Sequence, residues 1–196
     1  MHLKLFGILA IISLIISTCK DQVFNPKPRT YPKVELEKKK YSLFESNDCP
    51  YQFNIPVYAK YEKDSTFFDT LAGPCWFNVN FEKLNAKLYC TYNDLNGRSS
   101  FLKAIDETYK LVKGHMIKAD YIDQYPFNKP NHVSGMIYEI QGPSATPFQF
   151  FITDSTEHFL RGALYFNTHI NPDSLAPYYD YTKSDIMEMI NSFSWK

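Results

Sequence analysis

The run Pro147–Phe166, PFQFFITDSTEHFLRGALYF, constrains this chain more than any other stretch: two alternating limbs flank the polar turn Asp154-Ser155-Thr156-Glu157. Phe148, Phe150 and Ile152 point one way and Gln149, Phe151 and Thr153 the other. On the return limb Leu160, Gly162, Leu164 and Phe166 alternate with Phe159, Arg161, Ala163 and Tyr165. Both faces are largely apolar, so the hairpin belongs near the middle of a sheet covered on both sides. Arg161 breaks the pattern, and a cation buried there needs a carboxylate or carbonyl partner.

The other segments are placed against that hairpin. Cys75, Phe77, Val79 and Phe81 share one face, Trp76, Asn78 and Asn80 the other, and Ala86, Leu88 and Cys90 answer them, which predicts a second hairpin with one dry face. Val133 to Ile140 reads as a further strand. Tyr51–Tyr61 alternates but holds Pro56, which predicts an edge or bulged strand, and the charged run Lys33–Tyr41 reads as an edge strand. Residues 117–132 carry two prolines and two asparagines and read as a surface connection.

Phe101, Leu102, Ile105, Tyr109, Val112 and Met116 recur at helical spacing, which predicts a helix from about Ser100 to Lys113, capped by Ser99 or Ser100 and ended at Gly114. Near the other end, Asp173 or Ser174 can cap a helix with Pro177 in its first turn, and Thr182-x-x-Asp185 can cap a second segment bearing the stripe Ile186, Met189, Ile190 and Phe193. The sum is a single α+β domain: six or seven mostly antiparallel strands packed with two helical regions.

The first residues are a processing segment. Lys4 flanks an apolar core from Leu5 to Ile16, and Ile16-Ser17-Thr18-Cys19 closes it with small residues before a cysteine, which looks like a bacterial lipobox. The apolar run is short for a membrane span. Residues 1–18 are therefore read as a lipoprotein signal peptide, with Cys19 as the lipid attachment site. The Pro-rich stretch 19–32 is a tether, about 40 Å long if extended, and 33–196 is the globular domain. Lys20 after Cys19 is not an inner-membrane retention signal, which favours an outer-membrane anchor facing the periplasm.

Export makes thiol pairing the expectation. With Cys19 lipidated, Cys49, Cys75 and Cys90 remain, enough for one bridge. Cys49–Cys75 is favoured because each lies beside a proline at the end of an extended segment; Cys75–Cys90 is the competing pair, facing each other in a simple hairpin.

Chemistry-bearing constellations are sparse. Lys plus Arg and Asp plus Glu balance at 21 each, which argues against nucleic acid as a partner. Asp154, Ser155 and His158 are hydrolase residue types, but crowded around one turn and without a nucleophile elbow, so their bland reading is a turn bonded to its own backbone. His115, His132, His158 and His169 lack metal-ligand spacing, and no phosphate cradle is present, so no metal, cofactor or catalytic residue is assigned. Tyr178, Tyr179 and Tyr181 are the candidate interaction face, since tyrosine favours interfaces.

KADYI at 118–122, GMIYEIQG at 135–142, QFFITDSTEHFLRGALYF at 149–166, DSLAP at 173–177 and the terminal SFSWK resemble the gliding motility lipoprotein GldD family of Bacteroidetes. The likeness extends to CPYQF and CWFN around Cys49 and Cys75. It implies a cell-envelope lipoprotein required for gliding and associated with type IX protein secretion, acting as a non-enzymatic scaffold or assembly component. Its partners would be other motility and secretion proteins, with a lipid on Cys19 and a Cys49/Cys75 pair. The alternative is an envelope lipoprotein that binds or hydrolyses a small molecule or cell-wall fragment. By analogy of sheet and terminal helix, the fold resembles the Mog1/PsbP-like accessory folds.

Overall fold

The computed structural model describes residues 36–64, 73–168 and 172–196. The expected signal peptide, Cys19 and the expected tether lie outside the described residues, as do His169 and most of the connection after Lys63. In chain order the elements are β1 (Tyr41–Glu45), β2 (Tyr51–Pro56), β3 (Lys60–Lys63), β4 (Phe77–Phe81), β5 (Ala86–Asp94) and helix α1 (Arg98–Lys113). Then follow β6 (Tyr121–Lys129), β7 (Val133–Gln141), β8 (Phe148–Thr153), β9 (His158–Phe166), helix α2 (Pro172–Ser192) and β10 (Ser194–Trp195).

Seven strands form an antiparallel sheet in the order β3-β4-β5-β9-β8-β7-β6, so the β8–β9 hairpin lies at its centre. The α+β architecture expected from the sequence is the one observed. On one face, Phe148, Phe150, Ile152, Leu160 and Leu164 pack with Phe77 and Leu88 under α2 and under a second sheet of order β1-β2-β10. On the other, Phe151, Phe159 and Tyr138 pack with Leu95 and Val112 under α1.

Several local expectations are corrected. Tyr51–Tyr61 is not one edge strand: β2 ends at Pro56 and is the middle strand of the small sheet, while Lys60–Lys63 joins the edge of the large one. Pro56 offers no N–H to continue the ladder, so the chain leaves there. Of the strand expected at Lys33–Tyr41, residues 33–35 lie outside the described residues and 36–40 are not strand: β1 begins at Tyr41, and its Phe44 lies on Phe53 with ring centroids 5.2 Å apart. Residues 117–132 are not a bare connection, because they supply β6. As an edge strand, β6 tolerates Pro126, which no outer neighbour asks for a donor.

Both helices also differ in their ends. Helix α1 starts from Gly97, at φ 78, and Ser100 sits inside its first turn, donating back to the Gly97 carbonyl at 2.8 Å. Gly114 keeps right-handed backbone, and the chain tightens into a 3-10 turn over Gly114–Ile117. Helix α2 is continuous: Thr182 does not cap a second segment but donates to the Tyr178 carbonyl at 2.8 Å, and Asp185 is buried.

A disulfide joins Cys49 to Cys75, with Cα atoms 5.6 Å apart. In the β4–β5 ladder Cys90 stands opposite Phe77, not Cys75, which leaves it a buried free thiol. Burial pushes that thiol's pKa up, with the Arg161 charge opposing. Reducing the disulfide should cost roughly 3 kcal/mol, read as a lower urea midpoint. Cys90 should resist alkylation until the protein unfolds. Equal midpoints with and without reductant would contradict this.

Candidate functional site

The strand registers build one polar surface on the α1 side of the large sheet. Thr91 and Phe151 flank Arg161 across the ladder, Tyr89 and Gln149 flank Ala163, and Lys87 stands beside Tyr165. Helix α1 covers Phe151 and Phe159, while Lys87, Tyr89, Thr91, Arg161, Ala163 and Tyr165 line an open hollow of about 880 Å³. Ala163 keeps its centre low. The Tyr89 and Tyr165 rings meet edge to face with centroids 5.5 Å apart. Lys87 Nζ pairs with Glu62 at 3.1 Å, and Lys60 pairs with Glu82 at 2.6 Å on the rim.

Among the described residues no carboxylate pairs with Arg161. Its Nη2 donates to Gln149 Oε1 at 2.6 Å, and its Nε is buried without an acceptor. Gln149 Nε2 and Asn78 Oδ1 on the same face are also buried without partners. Burial lowers the Arg161 pKa from the usual guanidinium value. Burial, and then the Arg161 charge, hold His115 below the ordinary imidazole value. The sequence flagged Arg161 as a cation in an apolar strand; the alternation of Lys87, Tyr89 and Thr91 was the unread signal that its neighbours share an uncovered face.

Tyr178, Tyr179 and Tyr181 are half-buried along α2. Tyr179 donates to Glu139 Oε2 at 3.3 Å, beside Lys183, which pairs with the same carboxylate at 2.7 Å. Tyr181 donates to the Glu37 carbonyl at 2.7 Å, and Lys39 Nζ lies 4.1 Å from its ring centroid. Tyr178 packs against the core. Exposed large apolar side chains gather elsewhere: seven of the ten among the described residues fall between Leu102 and Tyr125, with Ile117 91% exposed.

The turn after β8 is spent on itself. Asp154 Oδ1 accepts the backbone N–H groups of Thr156, Glu157 and His158 at 2.9–3.0 Å, which more than offsets burial and lowers its pKa. His158 Nδ1 faces the Tyr92 hydroxyl at 2.7 Å, and its ring stacks on Trp195 with centroids 4.9 Å apart. Asp154, Glu157 and His158 bring three ligand atoms within 4.8 Å of one another, but the Asp154 oxygens already hold backbone and Thr156 donors. Neither His115 nor His132 joins that cluster.

No curated protein matches the sequence. Among solved structures the chain is similar to cyanobacterial PsbP (CyanoP) from Synechocystis sp. PCC 6803, in solution, at 8% identity and a TM-score of 0.49, covering 84% of this chain and 98% of that one. The family model described as gliding motility lipoprotein GldD matches residues 21–195. Matched over nearly its whole length, the chain belongs to the gliding motility lipoprotein GldD family.

Proposed function

We propose that this protein is a lipid-anchored envelope component that works in gliding motility together with the type IX secretion machinery, through protein contacts and without catalysis. In this reading Cys19 carries the lipid, residues 19–32 are the tether and the outer membrane is the host surface. Family membership over residues 21–195 carries the reading. The exposed segment from α1 through the 3-10 turn to β6 supports it: Met116, Ile117 and Tyr121 stand in solvent, while Lys103–Glu107 and Lys110–Asp106 pairs lie along the helix. Apolar side chains with polar surroundings are the composition of a contact surface.

Deleting the gene should abolish both surface spreading and release of type IX cargo. Wild type should restore them, and Cys19→Ala should not. A Met116→Ser/Ile117→Ser chain, altered only where side chains are exposed, should stay at wild-type abundance yet capture its envelope partners at least about tenfold more weakly. Normal spreading and secretion in the deletion strain would overturn the reading. The alternative, binding of a small molecule, is favoured by one observation, the hollow over Ala163.

A further inference from the structure

We propose that this hollow binds a small organic oxyanion, a carboxylate or phosphate ester on an aromatic or apolar body, with Arg161 taking the anion and Tyr89 and Tyr165 the body. A guanidinium drawn partly out of water loses hydration that an anion or several carbonyls must replace. Arg161 receives one neutral amide oxygen. The acids around the hollow are already engaged: Glu62 by Lys87 and Glu82 by Lys60. Among the described residues, what the floor lacks is therefore a negative acceptor.

The unused hydrogen-bonding capacity points the same way. Buried polar groups are nearly always paired, yet three of the four buried side-chain atoms without partners among the described residues share this one face. Gln149, on the adjacent strand, is fully buried and does not line the hollow, so the group an anion meets there is the Arg161 guanidinium, which Gln149 holds in place. The Gln149 bond fixes the guanidinium plane before a ligand arrives, and Tyr89 and Tyr165 offer ring edges and faces beside it.

The test uses the full-length, ¹⁵N-labelled lipoprotein in non-ionic detergent, titrated with benzoate, phenyl phosphate and, as a neutral isostere, benzamide. The Arg161 Nε–H resonance should move downfield and saturate with an anion and stay put with benzamide. His115 should titrate at higher pH in the bound state, because the anion offsets the Arg161 charge. Arg161→Gln should weaken binding about tenfold to hundredfold. Tyr89→Ala, which removes an exposed ring, should weaken it about fivefold. Saturation by benzoate alone identifies a carboxylate site, and by phenyl phosphate alone a phosphate site. If neither anion saturates below about 10 mM, if benzamide binds as well, or if both variants bind like wild type, the assignment fails. Should Arg161→Gln unfold, Tyr89→Ala decides. Failure here would leave the deletion phenotypes untouched, so the two readings fall separately.

Discussion

Asp185→Ala should destabilise the domain by about 3–5 kcal/mol, a loss of roughly 6–20 °C in melting temperature for a domain of this size. Asp185 is 1% exposed on α2, and its carboxylate gathers three donors from the other layer: Lys39 Nζ at 3.0 Å, the Tyr41 hydroxyl at 2.7 Å, and the Tyr58 hydroxyl. Removing it strands two tyrosine hydroxyls at a packed interface. Asp185→Asn keeps an acceptor and should cost about half as much, whereas Lys39→Ala, at the solvent side, should cost under about 1 kcal/mol. Urea melts of the three variants check the order, and a loss below 1 kcal/mol for Asp185→Ala would contradict it.

The same cluster sets an alkaline limit. Burial first, and then Asp185, raise the pKa of Tyr41 and Tyr58 in the folded protein. A raised folded pKa means the contribution is fully present below the unfolded tyrosine value of about 10 and is lost as pH climbs above it. Stability should therefore fall above that pH, with a shallower slope in Tyr58→Phe.

Gly135→Ala and Gly162→Ala should each cost about 3 kcal/mol, at the upper end for overpacking. The ladders set Phe127 opposite Gly135 and Phe150 opposite Gly162, and each ring lies over the bare glycine. A Cβ at 135 would reach 2.6 Å from the Phe127 ring and collide with the β8 backbone at the Phe151 carbonyl. A Cβ at 162 would enter the ring of Phe150, which is fully buried. Because β8 and β9 are inner strands, neither backbone can yield outward. Denaturant midpoints read the loss; near-wild-type midpoints would show that the rings, not the strands, give way.

The central hairpin was legible because both of its faces are dry, and that leaves one position for it in a sheet. Helix α1 was legible from its apolar spacing, although Ser100 turned out to bond backward instead of capping. The strand β6 was hidden because proline and asparagine count against strands in general, and their tolerance at an edge depends on having no outer neighbour, which is a fact of topology. The split at Pro56 was half visible: the proline announced a break, but not that the two halves serve different sheets. For the hollow, Arg161 stood out in sequence, yet its partner could not be named, because Gln149 meets it only through the β8–β9 register. The lipid site rests on sequence alone.

The small sheet carries a consequence for biogenesis. Its third strand, Ser194–Trp195, pairs with Gln52 and Tyr51, residues synthesised some 140 positions earlier, and the Lys196 N–H reaches the Pro50 carbonyl at 3.1 Å. Contacts so distant in sequence form late. A chain threaded across a membrane from its front end would hold β1 and β2 without that third strand until residue 195 emerged, exposing Tyr51 and Phe53, both fully buried once folding ends. The interval between the emergence of β2 and that of residue 195 is thus the vulnerable one, when a holdase or a protease has its best opportunity to act.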